Sequence, residues 1–138
     1  MIVVDTSVWS AALRRPKGRE LPRAGQLLRE LIVTGEHVVL LGVVYQELLS
    51  GIRHEAQFRR LARTLEPFPM VLATAADHLE AARVMNVSRA NGVQAASMDA
   101  LIAAMALERG ALLLTSDKDY LHIAENVPLD VRYVPSSD

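Results

Sequence analysis

Four acidic residues carry the chemistry this chain offers: Asp5, Glu47, Asp99 and Asp117. Asp5 ends the apolar run Ile2-Val3-Val4, and Asp117 follows the apolar run Ala111-Leu112-Leu113-Leu114-Thr115. Asp99 is the only charged residue between Ser97 and Leu107. That stretch is apolar almost all the way round beyond its first turn, the mark of a buried helix. Glu47 lies between Val43-Val44 and Ser50-Gly51, an apolar-to-small helix face that suits the wall of a polar pocket. Taken singly, each acid reads as an ordinary cap or turn residue. Gathered at one place, four anions repel unless a cation sits among them or some are protonated. Oxygen donors with no cysteine and only scattered histidines favour Mg2+ or Mn2+ over Zn2+. A carboxylate-held ion that keeps several waters suits the hydrolysis of a phosphodiester. It activates a water, orients the phosphate and offsets charge on the leaving oxygen.

Alternating strands and helices are what must bring these residues together. Ile2 to Val4 reads as a buried strand, and Asp5-Thr6-Ser7 as the cap of a helix carrying Val8, Trp9, Ala12 and Leu13. A second helix is expected from about Glu20, with Leu21, Ala24, Leu28 and Leu31 on one face and Gly35 at its end. His37 to Leu41 is the second strand, followed by Gly42 and a helix reaching Gly51. Phe58, Leu61, Ala62 and Leu65 mark another helix, and Pro69 to Leu72 a short strand that its proline places at an edge. Thr74 with Asp77 looks like a helix start, Asn91-Gly92 like a turn. Ser97 is the expected cap of the buried helix and Gly110 its stop; Val131 to Val134 is the last strand. The pattern predicts an α/β fold, a three-layer α/β/α sandwich around a mostly parallel sheet of four to five strands. One domain over 1–138 is expected, with a frayed tail. Right-handed crossovers place every strand-to-helix turn on one edge of such a sheet, where ligands bind.

Composition narrows the classes further. Of 138 residues, 51% are hydrophobic and 22% charged, as in a globular domain with a real core. Fifteen Lys and Arg against sixteen Asp and Glu give a net charge of -1, so any nucleic-acid role needs a local basic patch. The absence of cysteine excludes disulfides and thiolate chemistry and suits a reducing compartment. No secretory leader or membrane-spanning apolar run is visible, so a cytoplasmic protein is expected.

Ile2-Val3-Val4-Asp5-Thr6-Ser7-Val8-Trp9 and Glu47-Leu48-Leu49-Ser50-Gly51-Ile52 resemble the first two motifs of PIN-domain nucleases. Asp99-Ala100-Leu101-Ile102-Ala103-Ala104 and the run from Gly110 to Tyr120 resemble the remaining ones, in the same order and spacing. In particular the chain resembles VapC toxins, bare PIN domains of about this length. The resemblance implies a Mg2+-dependent ribonuclease, usually dimeric, kept inactive by a VapB antitoxin in a heterotetramer or larger assembly. It also implies Asp5, Asp99 and Asp117 as metal ligands. Glu47 would complete an acidic quartet, as a ligand through water or as the group that orients the attacking water. Thr6 and Thr115 match hydroxyl positions that hydrogen-bond the carboxylates. Asp119 matches a further acidic position, and Ser116 either serves the site similarly or caps the last helix.

Basic residues cluster at Arg14, Arg15, Lys17, Arg19 and Arg23, and again at Arg53, Arg59, Arg60 and Arg63. They form either a solvated face or a local phosphate-binding rim, with Arg14, Arg15 and Lys17 the RNA-binding candidates. Trp9 is expected in the core, with a groove-lining role as the alternative. Apolar helix faces between Leu49 and Leu65 are candidates for a partner or dimer surface. A phosphoacceptor receiver domain also places acids at strand ends, but it needs an acidic pair after strand one and an Asp after strand three. A non-catalytic binding module would have no reason to gather four carboxylates. A housekeeping RNA-processing PIN nuclease without an antitoxin is the alternative within the enzyme class.

Overall fold

The computed structural model describes residues 1–13 and 20–136. Five parallel strands form one sheet: β1 (Ile2–Val4), β2 (Val38–Leu41), β3 (Met70–Val71), β4 (Leu112–Thr115) and β5 (Val131–Tyr133), in the order β3-β2-β1-β4-β5. The central strands read as unbroken apolar runs because helices cover both of their faces: all four residues of β2 are buried, as are Val3, Val4, Leu113 and Leu114. Strand order reverses between β1 and β4, whose register pairs Val4 with Leu114. The carboxyl ends of these two strands therefore lie side by side, as a switch point requires. β3 occupies the edge next to β2, the place its preceding proline demands.

Helices α1 (Thr6–Leu13), α2 (Arg23–Val33), α3 (Gly42–Leu49) and α4 (Glu55–Leu65) pack among themselves, as do α5 (Ala75–Ala90), α6 (Ser97–Glu108) and α7 (Asp119–Ala124). With right-handed crossovers the two groups cover opposite faces of the sheet, completing three layers. α6 buries Ala100 and every residue from Ile102 to Ala106, so its first turn is pinned by the packing of the rest. No helix among the described residues is long and apolar enough to cross a membrane.

β2, β3 and β5 are each a residue or two shorter than expected and α3 ends at Leu49 rather than Gly51; three helix starts also differ from the sequence expectation. α2 starts at Arg23 rather than near Glu20, because Pro22 sits at its N-cap with φ -52° and ψ 150° and holds Leu21 out of the helical region. Ser97 is the first helical residue rather than the cap; Ala96, with extended backbone, takes that place and its carbonyl accepts the Ala100 N–H at 2.9 Å. Ser116 does not cap α7: Asp117 Oδ1 takes the Asp119 N–H at 2.9 Å, and the helix start at Lys118 has no side-chain cap. Thr74 and Asp77 form a full capping box on α5, as their spacing predicts. Trp9 is 2% exposed and packs edge-on against Phe68 at 4.9 Å, leaving its ring no surface for a groove. Leu49 and Leu65 are buried as well, which removes both ends of the apolar face expected for a partner.

α1 and α2 cross closely at Gly25, where an added Cβ would stand 2.6 Å from the Ala11 carbonyl oxygen. The obstacle is backbone, so the helices themselves would have to part. Gly25→Val is expected to cost about 1–3 kcal/mol of stability through this overpacking. That exceeds the small helix-propensity gain over glycine of roughly half a kcal/mol. Urea unfolding should read it as a lower midpoint.

Candidate active site

Asp5 sits between β1 and α1, and its backbone is fixed from both sides. Its N–H donates to the Leu114 carbonyl at 3.1 Å, and its own carbonyl accepts the Trp9 N–H at 3.3 Å. The side chain is 4% exposed and fully engaged. Oδ1 accepts the Ser7 hydroxyl at 2.6 Å and the Val8 N–H at 3.4 Å; Oδ2 accepts the Thr115 hydroxyl at 2.8 Å. Burial pushes its carboxyl above the ordinary range, the hydroxyls of Ser7 and Thr115 oppose this, and the charge of Asp117 adds to it.

Thr115 ties the two strand ends together, because its hydroxyl also accepts the Asp117 N–H at 2.9 Å. Asp117 then faces Asp99 from the first turn of α6 and Asp119 from the first turn of α7. One carboxylate oxygen from each of these three lies within 4.8 Å of the others. Asp99 and Asp117 are half-buried, Asp119 exposed. Asp99 is held at about 6, raised first by burial, then by the charge of Asp117, with Asp119 and Asp5 contributing. The Tyr120 hydroxyl donates to Asp99 Oδ1 at 3.2 Å and pulls the other way. Tyr120 is itself buried, and its phenol is pushed well above the usual range by burial and by Asp99.

Glu47 stands apart from this group. It is exposed on α3, not walled in by its apolar neighbours, and its Oε2 accepts the Thr6 hydroxyl at 2.6 Å. Since Thr6 opens α1 next to Asp5, that bond ties Glu47 to the rim of the same strand edge. The structure thus gathers Asp5, Asp99, Asp117 and Asp119, with Thr6 and Thr115 holding two of the sequence candidates. The Ser116 hydroxyl is buried and makes no hydrogen bond among the described residues; its N–H reaches the network, donating to Ser7 Oγ at 3.1 Å. Arg14, Arg15, Lys17 and Arg19 lie outside the described residues. The four histidines stay out of the carboxylate group.

Sequence reasoning missed two contributors. Ser7 follows Asp5 by two residues, a spacing at which a hydroxyl commonly turns back onto a carboxylate. Tyr120 carries a signal only in retrospect, a buried phenol next to two acids. Tyr120→Phe keeps the packing and removes the donor, so Asp99 should lose its one hydrogen bond to the charged form. A weaker affinity for Mn2+, by roughly threefold to tenfold in a titration at about pH 6.5, is expected.

The donor set fits a hard divalent cation. All its atoms are carboxylate oxygens, and the repulsion from Asp117, which adds to burial in raising Asp99, is the kind an ion relieves.

The PIN domain family model matches residues 2–126. Ribonuclease VapC11 of Mycobacterium tuberculosis is 29% identical over 126 residues, covering 90% of this chain and 92% of that protein. The fold is similar to that of FitAcB from Neisseria gonorrhoeae, with a TM-score of 0.76 at 24% identity and 98% of each chain covered. It is equally similar to VapBC2 from Rickettsia felis bound to a promoter DNA fragment, with a TM-score of 0.76 at 17% identity, covering 97% of this chain and 99% of that one. With its motifs in order, its carboxylates at the β1–β4 switch point and nearly its whole length matched, the chain belongs to the PIN domain family.

Proposed function

We propose that this protein is a Mg2+-dependent endoribonuclease, the toxin of a toxin–antitoxin pair acting in the cytoplasm. The observation that carries the reading is the convergence of Asp99, Asp117 and Asp119 oxygens within 4.8 Å, beside buried Asp5 at the switch point. Its PIN domain and its similarity to a protein named as a ribonuclease favour RNA as substrate. Asp5, Asp99 and Asp117 hold the ion in this reading, and Asp119 adds a further oxygen donor. When bound, Mg2+ (or Mn2+) would supply the activated water and offset charge on the leaving oxygen. Ser7 and Thr115 keep the Asp5 carboxylate in one orientation, so the site is preorganised. Glu47, steadied by Thr6, holds or orients a water at the rim and completes the acidic quartet.

Similarity to the FitAcB and VapBC2 structures supports a VapB-like antitoxin as partner. On the family resemblance, the assembly proposed is a heterotetramer or larger complex built on a homodimer of this chain. Arg14, Arg15 and Lys17 form the phosphate-binding rim in this reading. Neutralising all three should weaken RNA binding and reduce its logarithmic salt slope by about two.

Purified, partner-free protein incubated with cellular RNA in Mg2+, in Mn2+ and in EDTA tests the proposal. Discrete fragments in the metal lanes alone support it. Intact RNA in every lane, from folded protein with metal bound, removes the catalytic claim and leaves a binding role.

A further inference from the structure

Beside the carboxylates lies a groove of about 320 Å³ that shares Asp119 with them and that the proposed reaction otherwise leaves unused. Buried Ile123 and half-buried Val93 and Ala95 supply its apolar surface, while Gln94 and His122 are exposed at its rim. The stretch Val93–Ala95 belongs to no helix or strand; it leads from the Asn91-Gly92 turn towards α6, the helix that carries Asp99. Among the described residues, the N–H groups of Gln94 and Ala95 find no backbone partner, nor do the carbonyls of Val93, Gln94 and Ala95. An apolar surface bordered by free donors and acceptors is the composition of a small-ligand site, and this volume is at the small end of such sites. Among the described residues no lysine or arginine lines the groove, and Asp119 makes one wall, which disfavours a phosphate. An uncharged planar heterocycle suits it better.

Resting on the nuclease reading, we propose that this groove is a nucleobase subsite. It receives the base of one nucleotide flanking the RNA bond held at the carboxylates. The His122 imidazole stacks on the ring, and Gln94 with the free backbone groups of Val93–Ala95 reads its hydrogen-bonding edge. Single-stranded RNA is recognised in this way, by splaying out a base, stacking it and reading its polar edge. Sequence preference at the cut is thereby set beside the carboxylates rather than by them.

Two measurements on the full chain separate the subsite from the nuclease reading. In the first, single-stranded hexaribonucleotides of differing base composition are titrated into the protein in EDTA and followed by amide NMR. Saturable shifts are expected at Gln94, Ala95 and His122, with affinities that differ at least threefold among the oligonucleotides. In the second, cleavage sites in a randomised RNA are sequenced for the wild type, for Gln94→Ala with His122→Ala, and for Val93→Trp, which fills the groove. The variants are expected to flatten the preference next to the cut by at least tenfold and to raise KM more than they lower kcat. RNA that is bound at these three residues but never cut leaves the subsite standing and removes the nuclease reading. RNA that is cut with unchanged preference, or bound without shifts at these residues, overturns the subsite. A groove that loses antitoxin affinity in the variants while cleavage preference holds overturns it too, in favour of a protein partner.

Discussion

Asp99→Asn is expected to cut metal-dependent RNA cleavage by roughly a hundredfold to a thousandfold, the scale of removing one charge-stabilising group from a preorganised site. Asparagine keeps the shape and the Tyr120 contact but removes one of the charged oxygens that face Asp117 and Asp119. The same substitution should raise the stability of the metal-free protein near neutral pH. Asp99 titrates at about 6 in the fold against 3.8 for the free side chain. A carboxyl raised in the native state favours folding at low pH, and that contribution is lost as pH rises from about 4 to about 6. Above about pH 6 the ionised, metal-free cluster therefore works against the fold. In the proposed reading, the aspartate at this position gives up stability for a cation site.

Bound Mg2+ should reverse the sign. Protons compete with the ion for Asp99, so the Mg2+-induced rise in Tm should be larger at about pH 7.5 than at about pH 5.5. Thermal melts of both proteins across that range, with and without Mg2+, check this; an equal Mg2+ response in the Asp99→Asn variant would remove Asp99 from the ligand set.

Asp77→Asn is expected to lower Tm by roughly 10 °C at neutral pH without touching the carboxylate cluster. Asp77 is 1% exposed and receives both terminal nitrogens of Arg109, at 2.8 and 2.9 Å. The same carboxylate accepts the Thr74 N–H at 2.8 Å in the capping box, and Arg109 also donates to the Met105 carbonyl at 2.8 Å. One ion pair thus joins the start of α5 to the end of α6, the helix whose other end presents Asp99. The Arg109 hydrogen bonds hold the Asp77 carboxyl at about 2, well below its ordinary 3.8. A depressed carboxyl stabilises the fold above its free value, and the contribution is lost as pH falls from about 4 to about 2. The shift corresponds to roughly 2 kcal/mol, and the variant also leaves Arg109 without its counter-charge. For a domain of this size each kcal/mol moves Tm by about 3–5 °C. Melts from neutral pH down to about pH 2 should show the two proteins converging at the acid end. A constant gap across that range would mean that packing, not charge, links α5 to α6.

Strand and helix identities were legible because each is written locally. The apolar runs of β1, β2 and β4 can be buried only with both faces covered, and the all-round apolar α6 has no solvent face to offer. Helix starts were less legible. Ser97 has the chemistry of a cap, yet the extended backbone falls one residue earlier, at Ala96, and the hydroxyl is not used. Pro22 shortened α2 by a constraint on the residue before it, which a count of apolar spacing does not register.

By itself the sequence determined the types and order of the elements, the motifs of the PIN domain family and the acids that stand at their ends. These follow from periodicity, turn chemistry and residue type, all properties of neighbours along the chain. Only the tertiary structure decided which acids meet. Asp119 joins Asp99 and Asp117 while Glu47 stays at the rim, because α7 begins directly after β4 whereas α3 leaves the sheet one strand further away, beyond β1. Ser7 and Tyr120 entered the site in the same way, through hydrogen bonds to Asp5 and Asp99 that depend on how β1, β4, α6 and α7 converge. Such contacts are set by packing between distant segments, and no local pattern in the chain encodes them.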